Sequence, residues 1–363
     1  MLECYSTGPV HSALRDRILS AVARVLDSNR LILGEEVAAF EREFAAYCGT
    51  SEAIGVGSGT DALDLALRAL DIGPGDEVIL PAQTFVATAL AVTRSGATPR
   101  FVDISERHWT LDPDAARQAI TPRTRALIAV HLYGIPCAMQ PLLELAERHH
   151  LALVEDNAQA IGALVDGRRT GSLGVLAAHS FYPTKNLGAC GDAGAITTNR
   201  PDLAARIRRL RNYGFAKPSW SVEPGINSRL DEIQAAILRV KLPCVDEWNR
   251  ERPTLAAIYR DRLKVVGDVA FQQTRPEAVE APHLFVITSQ YRHPLQTFLA
   301  GRGIRTQRHY PSTVPAQPAF HDPGEYPRAE RLAKTSLSLP LYPGLHRQDV
   351  IRVCDAIRDF HCP

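Results

Sequence analysis

"AIGVGSGTDALDLALRAL", residues 53–70, is followed closely by "GDEVILPAQTFVATALAVTRSG", residues 75–96. The first segment opens with a short apolar run at 53–56 and turns on the small residues 57–60. It then continues from Thr60 or Asp61 with apolar positions at helical spacing. The second repeats that order, with a strand at 77–80, a loop, and a helix from about residue 84. "TPRFVDI" (98–104) and "RTRALIAVHLYG" (123–134) read as strands, "MQPLLELAERHH" (139–150) as a helix, and "LALVEDNAQAIGA" (151–163) as a strand ending at Glu155 and Asp156. Alternation of this kind, expected through about residue 200, predicts an α/β fold whose mainly parallel sheet is covered by helices on both faces. Ligands of such sheets collect at the carboxyl ends of the strands. Gly57–Thr60, Phe85 and Asp156 all fall there and are expected to share a pocket.

Around this centre, residues 12–48 read as helices and 201–214 as a helix ending at Gly214. The stretch 217–228 reads as a loop, and 229–264 as a long helical segment bent or broken at Pro243. We expect a large domain over 1–245 and a smaller α/β domain over 246–363, the latter built from "HLFVITS", "LQTFLAGRG" and "QDVIRVCDAIRDF".

With 45% hydrophobic and 22% charged residues, the 363-residue chain has ordinary globular composition. Its 41 basic and 40 acidic side chains nearly cancel, so no charge excess points to nucleic acid or to an anionic membrane. Seven scattered cysteines without a C-x-x-C pair read as reduced residues of a cytoplasmic protein. Neither a signal peptide nor a transmembrane run is expected.

Three stretches carry chemistry. "GVGSGTDAL" (55–63) can present backbone N–H groups to a phosphate at a helix N-terminus, or be a tight turn capped by Ser58 or Thr60. "VEDNAQA" (154–160) can aim Asp156 at a ligand, or simply end a strand in solvated acids. In "HSFYPTKNLGACGDAGA" (179–195), Lys185 sits among aromatic, hydroxyl and small residues rather than acids. Desolvation there would lower its pKa and free its amine to attack a carbonyl, although most lysines are surface residues. Gly188, Gly191 and Gly194 are read as the turn returning the chain to the sheet. In order, a phosphate-type turn, an aromatic, an acid and a lysine are the parts that pyridoxal phosphate needs.

The chain resembles the DegT/DnrJ/EryC1/StrS family of nucleotide-sugar aminotransferases, within the fold-type I pyridoxal-phosphate enzymes. The resemblance spans nearly the whole chain. It is carried by "LILGEEVAAFEREFAAYCG", "GSGTDAL", "GPGDEVILPAQTFVATA", "VHLYG", "EDNAQAIGA", "SFYPTKNLGACGDAGA", "RLRNYG", "NSRLDEIQAAIL", "HYP" and "SLSLPLYPGL". It implies a large domain with a mostly parallel mixed sheet, a smaller α/β C-terminal domain, and a homodimer with shared active sites. Lys185 would be the Schiff-base lysine and the proton shuttle, and Asp156 the partner of the ring nitrogen. Gln159 would contact the ring hydroxyl, Phe85 would stack on the ring, and Gly59, Thr60 and Ser180 would hold the phosphate. Asn227 would reach the phosphate from the neighbouring subunit. His309 and Tyr310 would lie near the sugar nucleotide. No metal is implied.

The implied reaction moves an amino group, in this family usually from glutamate, to a nucleotide-linked keto-deoxysugar. "HYPSTVPAQPAF" (309–320) leans toward a dTDP-linked 3-keto-6-deoxyhexose, with 4-keto sugars and cyclitols as alternatives. Departures from the pattern are His179, Ala193, Pro282 and the absence of a histidine in 311–320. Dehydratases of the family carry histidine in place of the Schiff-base lysine, which Lys185 opposes. Another fold-type I enzyme would share the lysine and the acid but not "NSRLDEIQAA". A non-catalytic regulator that binds the cofactor or a nucleotide sugar is the reading of another class.

Overall fold

The computed structural model describes residues 1–320 and 322–361. Two helices open the chain, α1 (Gly8–Ser28) and α2 (Glu35–Cys48), the second ending at Gly49 in the left-handed conformation. Then follow β1 (Glu52–Val56), α3 (Gly59–Ala69), β2 (Glu77–Pro81), α4 (Ala87–Ser95), β3 (Thr98–Val102), α5 (Pro113–Ala119), β4 (Thr124–Val130), α6 (Met139–Arg148) and β5 (Ala152–Asp156). Strict alternation stops there, sooner than the sequence led us to expect. Residues 157–175 form turns and the two short strands β6 (Leu164–Val165) and β7 (Arg168–Arg169) before β8 (Leu176–Ser180). Glycines and polar residues break any helical apolar period in this stretch, and its backbone groups are satisfied locally and by Glu155. β9 (Gly194–Thr198) and α7 (Pro201–Leu210) complete this half.

Seven strands form one sheet in the order β1-β9-β8-β5-β4-β2-β3. β9 runs antiparallel to both neighbours, and the other six strands point the same way. Side chains alternate across the sheet. Val78 and Leu80 pack with α3, α4 and α7, whereas Ile79, Leu127 and Leu153 pack with α5 and α6. At the β1–β9 end, Ala53 and Ala195 bury against α2 and against α8 (Glu232–Lys241). Burial on both faces explains the nearly unbroken apolar runs of β2 and β4.

The expected loop 217–228 contains part of a small hairpin, β10 (Phe215–Lys217) with β11 (Trp220–Ser221). The break at Pro243 is a 3-10 turn over Leu242–Cys244, after which α9 (Val245–Leu263) resumes. β12 (Ala270–Phe271), β14 (Phe285–Thr288) and β15 (Ser336–Leu339) form a three-stranded antiparallel sheet, and β13 (Ala278–Val279) joins β6. With α9, α10 (Arg292–Gly301) and α12 (Arg347–His361) this sheet encloses a second core around Tyr259, Phe285 and Ile357; α11 (Pro327–Thr335) packs on the first. Among the described residues no helix is long and apolar enough to cross a membrane. Of the cysteines, Cys4, Cys48, Cys137 and Cys354 are buried, Cys244 is partly buried and Cys190 is exposed. Cys362 lies outside the described residues.

Candidate active site

At the carboxyl ends of the parallel strands lies a cavity of about 540 Å³. Gly59, Thr60, Phe85, Asp156, Gln159, Ser180, Lys185, His309 and Tyr310 all line it. Asn227 does not. It is exposed, bridged to Asn212 just beyond α7.

β1 delivers the chain to the turn before α3. Ser58 is the cap, its Oγ accepting the Asp61 N–H at 3.1 Å. The N–H groups of Gly59 and Thr60 begin the helix and lack intrahelical acceptors, so they are available to an anion favoured by the helix N-terminus. The two readings of this turn are thus both true: a capped turn and a phosphate cradle in one. Gly59 is required by packing, since a Cβ there would stand 2.7 Å from the Ser180 Cβ. Gly188, Gly191 and Gly194 lie along the segment that returns the chain from Lys185 to the sheet at β9, and packing gives Gly188 and Gly194 a further reason to be glycine. None of Gly188, Gly191 and Gly194 has positive φ. A Cβ on Gly188 would strike the Pro183 carbonyl, and one on Gly194 the backbone of Ser58.

Strand alternation sends the two acids at the end of β5 to different places. Asp156 faces the cavity, accepting the Thr88 hydroxyl (2.8 Å) and the Ala158 N–H (3.2 Å). Burial pushes its carboxyl above the usual range, against the pull of these hydrogen bonds and of the Lys185 charge. Glu155 turns away, accepting His131 Nε2 (3.0 Å) and the N–H groups of Gly171, Leu173 and Gly174 (2.7–2.8 Å). Burial opposes its ionisation, but these donors hold it below the usual carboxylate range. Lys185 is pulled down from 10.5 to about 8 by burial, with Asp156 opposing the shift. Its amine is therefore far more available near neutral pH than that of a surface lysine. His309 is lowered to about 4 by burial and then by Lys185, and so stays neutral.

Gln159 is held at both ends, its Oε1 accepting the Tyr133 N–H (2.7 Å) and its Nε2 donating to the Tyr310 hydroxyl (2.8 Å). The rings of Phe85 and Tyr310 are tilted at a centroid distance of 5.4 Å, and Phe85 is 50% exposed.

Several residues of the site escaped the sequence. Thr88 orients Asp156 from the first turn of α4, and only its place after "TF" hints at this. Tyr133, at φ +63, donates its hydroxyl to the His309 carbonyl, while its own carbonyl accepts the His283 N–H at 2.9 Å. Gly134 must be glycine: at φ +102 a Cβ would collide with the Ala281 carbonyl. "HLYG" thus ties the end of β4 to residues 281–284. Arg252 and His283 also line the cavity, and no local pattern announces either.

His179, where the pattern has an aromatic, is a core residue with both ring nitrogens hydrogen-bonded. The Thr197 hydroxyl donates to the Gly171 carbonyl (2.6 Å), so it must accept from His179 Nε2 (2.8 Å). His179 Nδ1 then accepts from Asn157 Nδ2 (3.3 Å). Burial lowers the ring to about 3, keeping it neutral and fixing the loop beneath Asp156.

These residues fit pyridoxal phosphate. The cradle at Gly59 is closed by Ser180 so tightly that a methyl would fill it. Asp156 is a buried carboxylate with room opposite it for a cation, and Lys185 is an amine primed for an aldehyde. Among the described residues no metal-binding cluster occurs.

Residues 12–358 match the model of the DegT/DnrJ/EryC1/StrS aminotransferase family. The chain is 50% identical to a dTDP-3-amino-3,4,6-trideoxy-alpha-D-glucose transaminase of Streptomyces venezuelae, over 96% of this chain and 93% of that one. It is 51% identical to the erythromycin biosynthesis sensory transduction protein EryC1 of Saccharopolyspora erythraea, over 92% and 93%. A crystal structure of S. venezuelae DesV in complex with a ketimine intermediate superimposes with a TM-score of 0.97 at 49% identity, covering 99% of this chain and 98% of that one.

Proposed function

The chain belongs to the DegT/DnrJ/EryC1/StrS aminotransferase family and is a pyridoxal-phosphate-dependent aminotransferase, and from this we propose that it carries nitrogen from glutamate to a nucleotide-linked keto-deoxysugar. The acceptor we propose is a dTDP-linked 3-keto-6-deoxyhexose, in keeping with what the Streptomyces venezuelae relative is named for. One observation carries the reading: a single cavity joins Lys185, Asp156 and the N-terminus of α3 and has further walls at His309 and Tyr310.

When bound, the cofactor supplies an electron sink and a nitrogen carrier. Gly59, Thr60 and Ser180 hold its phosphate, Phe85 covers its ring, and Gln159 meets its hydroxyl. Asp156 keeps a proton on the ring nitrogen by offering a buried negative charge. Lys185 would hold the aldehyde end of the cofactor, and its amine would move a proton at the reacting carbon. His309, neutral at working pH, and Tyr310 receive the sugar nucleotide.

We further propose a homodimer in which Asn227 of each subunit completes its partner's phosphate site. Its exposure, away from the cavity of its own subunit, supports this. So does the half-exposed Phe85 at the cavity wall. Inactive Lys185→Ala and Asn227→Ala proteins, mixed under exchange, should regain part of the activity as heterodimers. No recovery in verified heterodimers excludes the shared site. We assign 1–245 as the cofactor-holding domain and 246–363 as the smaller one, the latter having its own sheet and core. A cytosolic location belongs to the same proposal, supported by the unpaired buried thiols.

The test uses the two half-reactions. L-Glutamate should shift the holoenzyme spectrum and release 2-oxoglutarate, and a nucleotide 3-keto sugar should then restore the spectrum and yield an aminated product by mass. Restoration only by a 4-keto sugar or a cyclitol overturns the acceptor. No change with any amino donor overturns transamination and favours a regulator, the role suggested by the printed name of one relative.

A further inference from the structure

Arg252 is a buried cation that forms no ion pair among the described residues, its neighbour Glu251 acting on it only from a distance. It lies on α9, is only 4% exposed, and lines the cavity. Among the described residues no carboxylate stands within 4 Å of it; its Nη1 makes three long contacts to the carbonyls of Pro282, His283 and Leu341 (3.3–3.4 Å). Its Nε is buried with no partner, and Nη2 has none among the described residues. Burying a guanidinium without an anionic partner is costly, and an anion that reaches it would offset part of that cost. Burial lowers the group only to about 10, so it remains a cation.

Beside it stands His283, 8% exposed, on the same cavity wall and with Nδ1 unpartnered. The charges of both Lys185 and Arg252 act on His283 and, after burial, keep it neutral. Arg252, His283 and the reacting amine of Lys185 thus line one cavity, with the His283 carbonyl 3.3 Å from Arg252 Nη1. For the cofactor phosphate the proposed holder is the N-terminus of α3, at Gly59 and Thr60.

We infer that Arg252, with His283 beside it, is the site that holds a carboxylate of the amino donor. This rests on the transamination reading. A donor's α-carboxylate is attached directly to the carbon that bears the transferred nitrogen, so it must lie close to Lys185. The pyrophosphate of a nucleotide hexose is several bonds from a reacting C3 and belongs farther out. A planar guanidinium suits a carboxylate better than an ammonium does. Arg252 is then a substrate-binding residue whose charge is neutralised only while the donor is present.

Glutarate, a dicarboxylate without an amine, tests this on the intact holoenzyme by calorimetry. Wild type should bind it, and Arg252→Lys and Arg252→Gln should weaken its Kd at least about tenfold, and raise KM for L-glutamate more than they lower kcat. Thymidine diphosphate affinity and bound cofactor absorbance should stay within about twofold. If Arg252→Gln fails to fold, Arg252→Lys and His283→Asn carry the test. Unchanged glutarate affinity in folded variants, no glutarate binding by a wild type that accepts glutamate, or selective loss of thymidine diphosphate binding overturns the assignment. A wild type that accepts no amino acid at all overturns the transamination reading instead.

Discussion

Replacing Lys185 with alanine is expected to abolish covalent attachment of the cofactor and to lower turnover at least ~10³-fold, the upper part of the range for a lost general base. The other lysine on the cavity wall, Lys241, cannot substitute. Its Nζ donates to the Gly188 carbonyl (2.6 Å) and meets His11 (3.0 Å), which ties it to the wall at the end of α8. Lys185 alone combines burial, a pKa near 8 and a facing carboxylate. Borohydride reduction followed by intact-protein mass measurement reads the attachment without relying on activity. Wild type should gain the mass of reduced cofactor and the variant should not. Retention of that mass, or transamination at a normal rate, refutes the assignment.

The second large effect is expected at Asp156. Asp156→Asn keeps the shape, and the Thr88 hydroxyl can turn to accept from the new amide while donating to Thr84 (2.9 Å). The thermal midpoint should therefore change little. What is lost is a buried negative charge opposite the ring nitrogen. Breaking a buried charge pair costs about 3–5 kcal/mol, which converts to roughly 10²–10⁴-fold in rate. The absorbance of the bound ring should also change, reporting an unprotonated nitrogen. A variant within tenfold of wild type, with an unchanged spectrum, would show that Asp156 is only a strand end capped by Thr88 and Ala158.

Much of this was readable in the chain. The strand–turn–helix order at 53–96 predicts the parallel sheet because apolar runs of β2 and β4 must be buried on both faces. Strand ends at Val56 and Asp156 lie within a residue or so of the expected positions. The helix break at Pro243 follows from proline chemistry. The early end of the strand–helix alternation was not readable. Residues 157–175 have no period of their own and take their shape from Glu155 and the buried ring of His179.

Sequence by itself determined the layers, the edge of the sheet where chemistry collects, and the order of turn, acid and lysine that points to the cofactor. These depend on local periodicity and on residue types, which the chain carries in plain order. Tertiary structure alone decided what each group meets. Glu155 and Asp156 are neighbours in sequence, yet one anchors a loop and the other faces the cavity, because a strand's side chains alternate. Gly194 is needed because Ser58 lies against it, and among the described residues Arg252 meets backbone carbonyls rather than a carboxylate. Contacts between residues more than a hundred positions apart depend on how the elements pack, and no spacing along the chain records them.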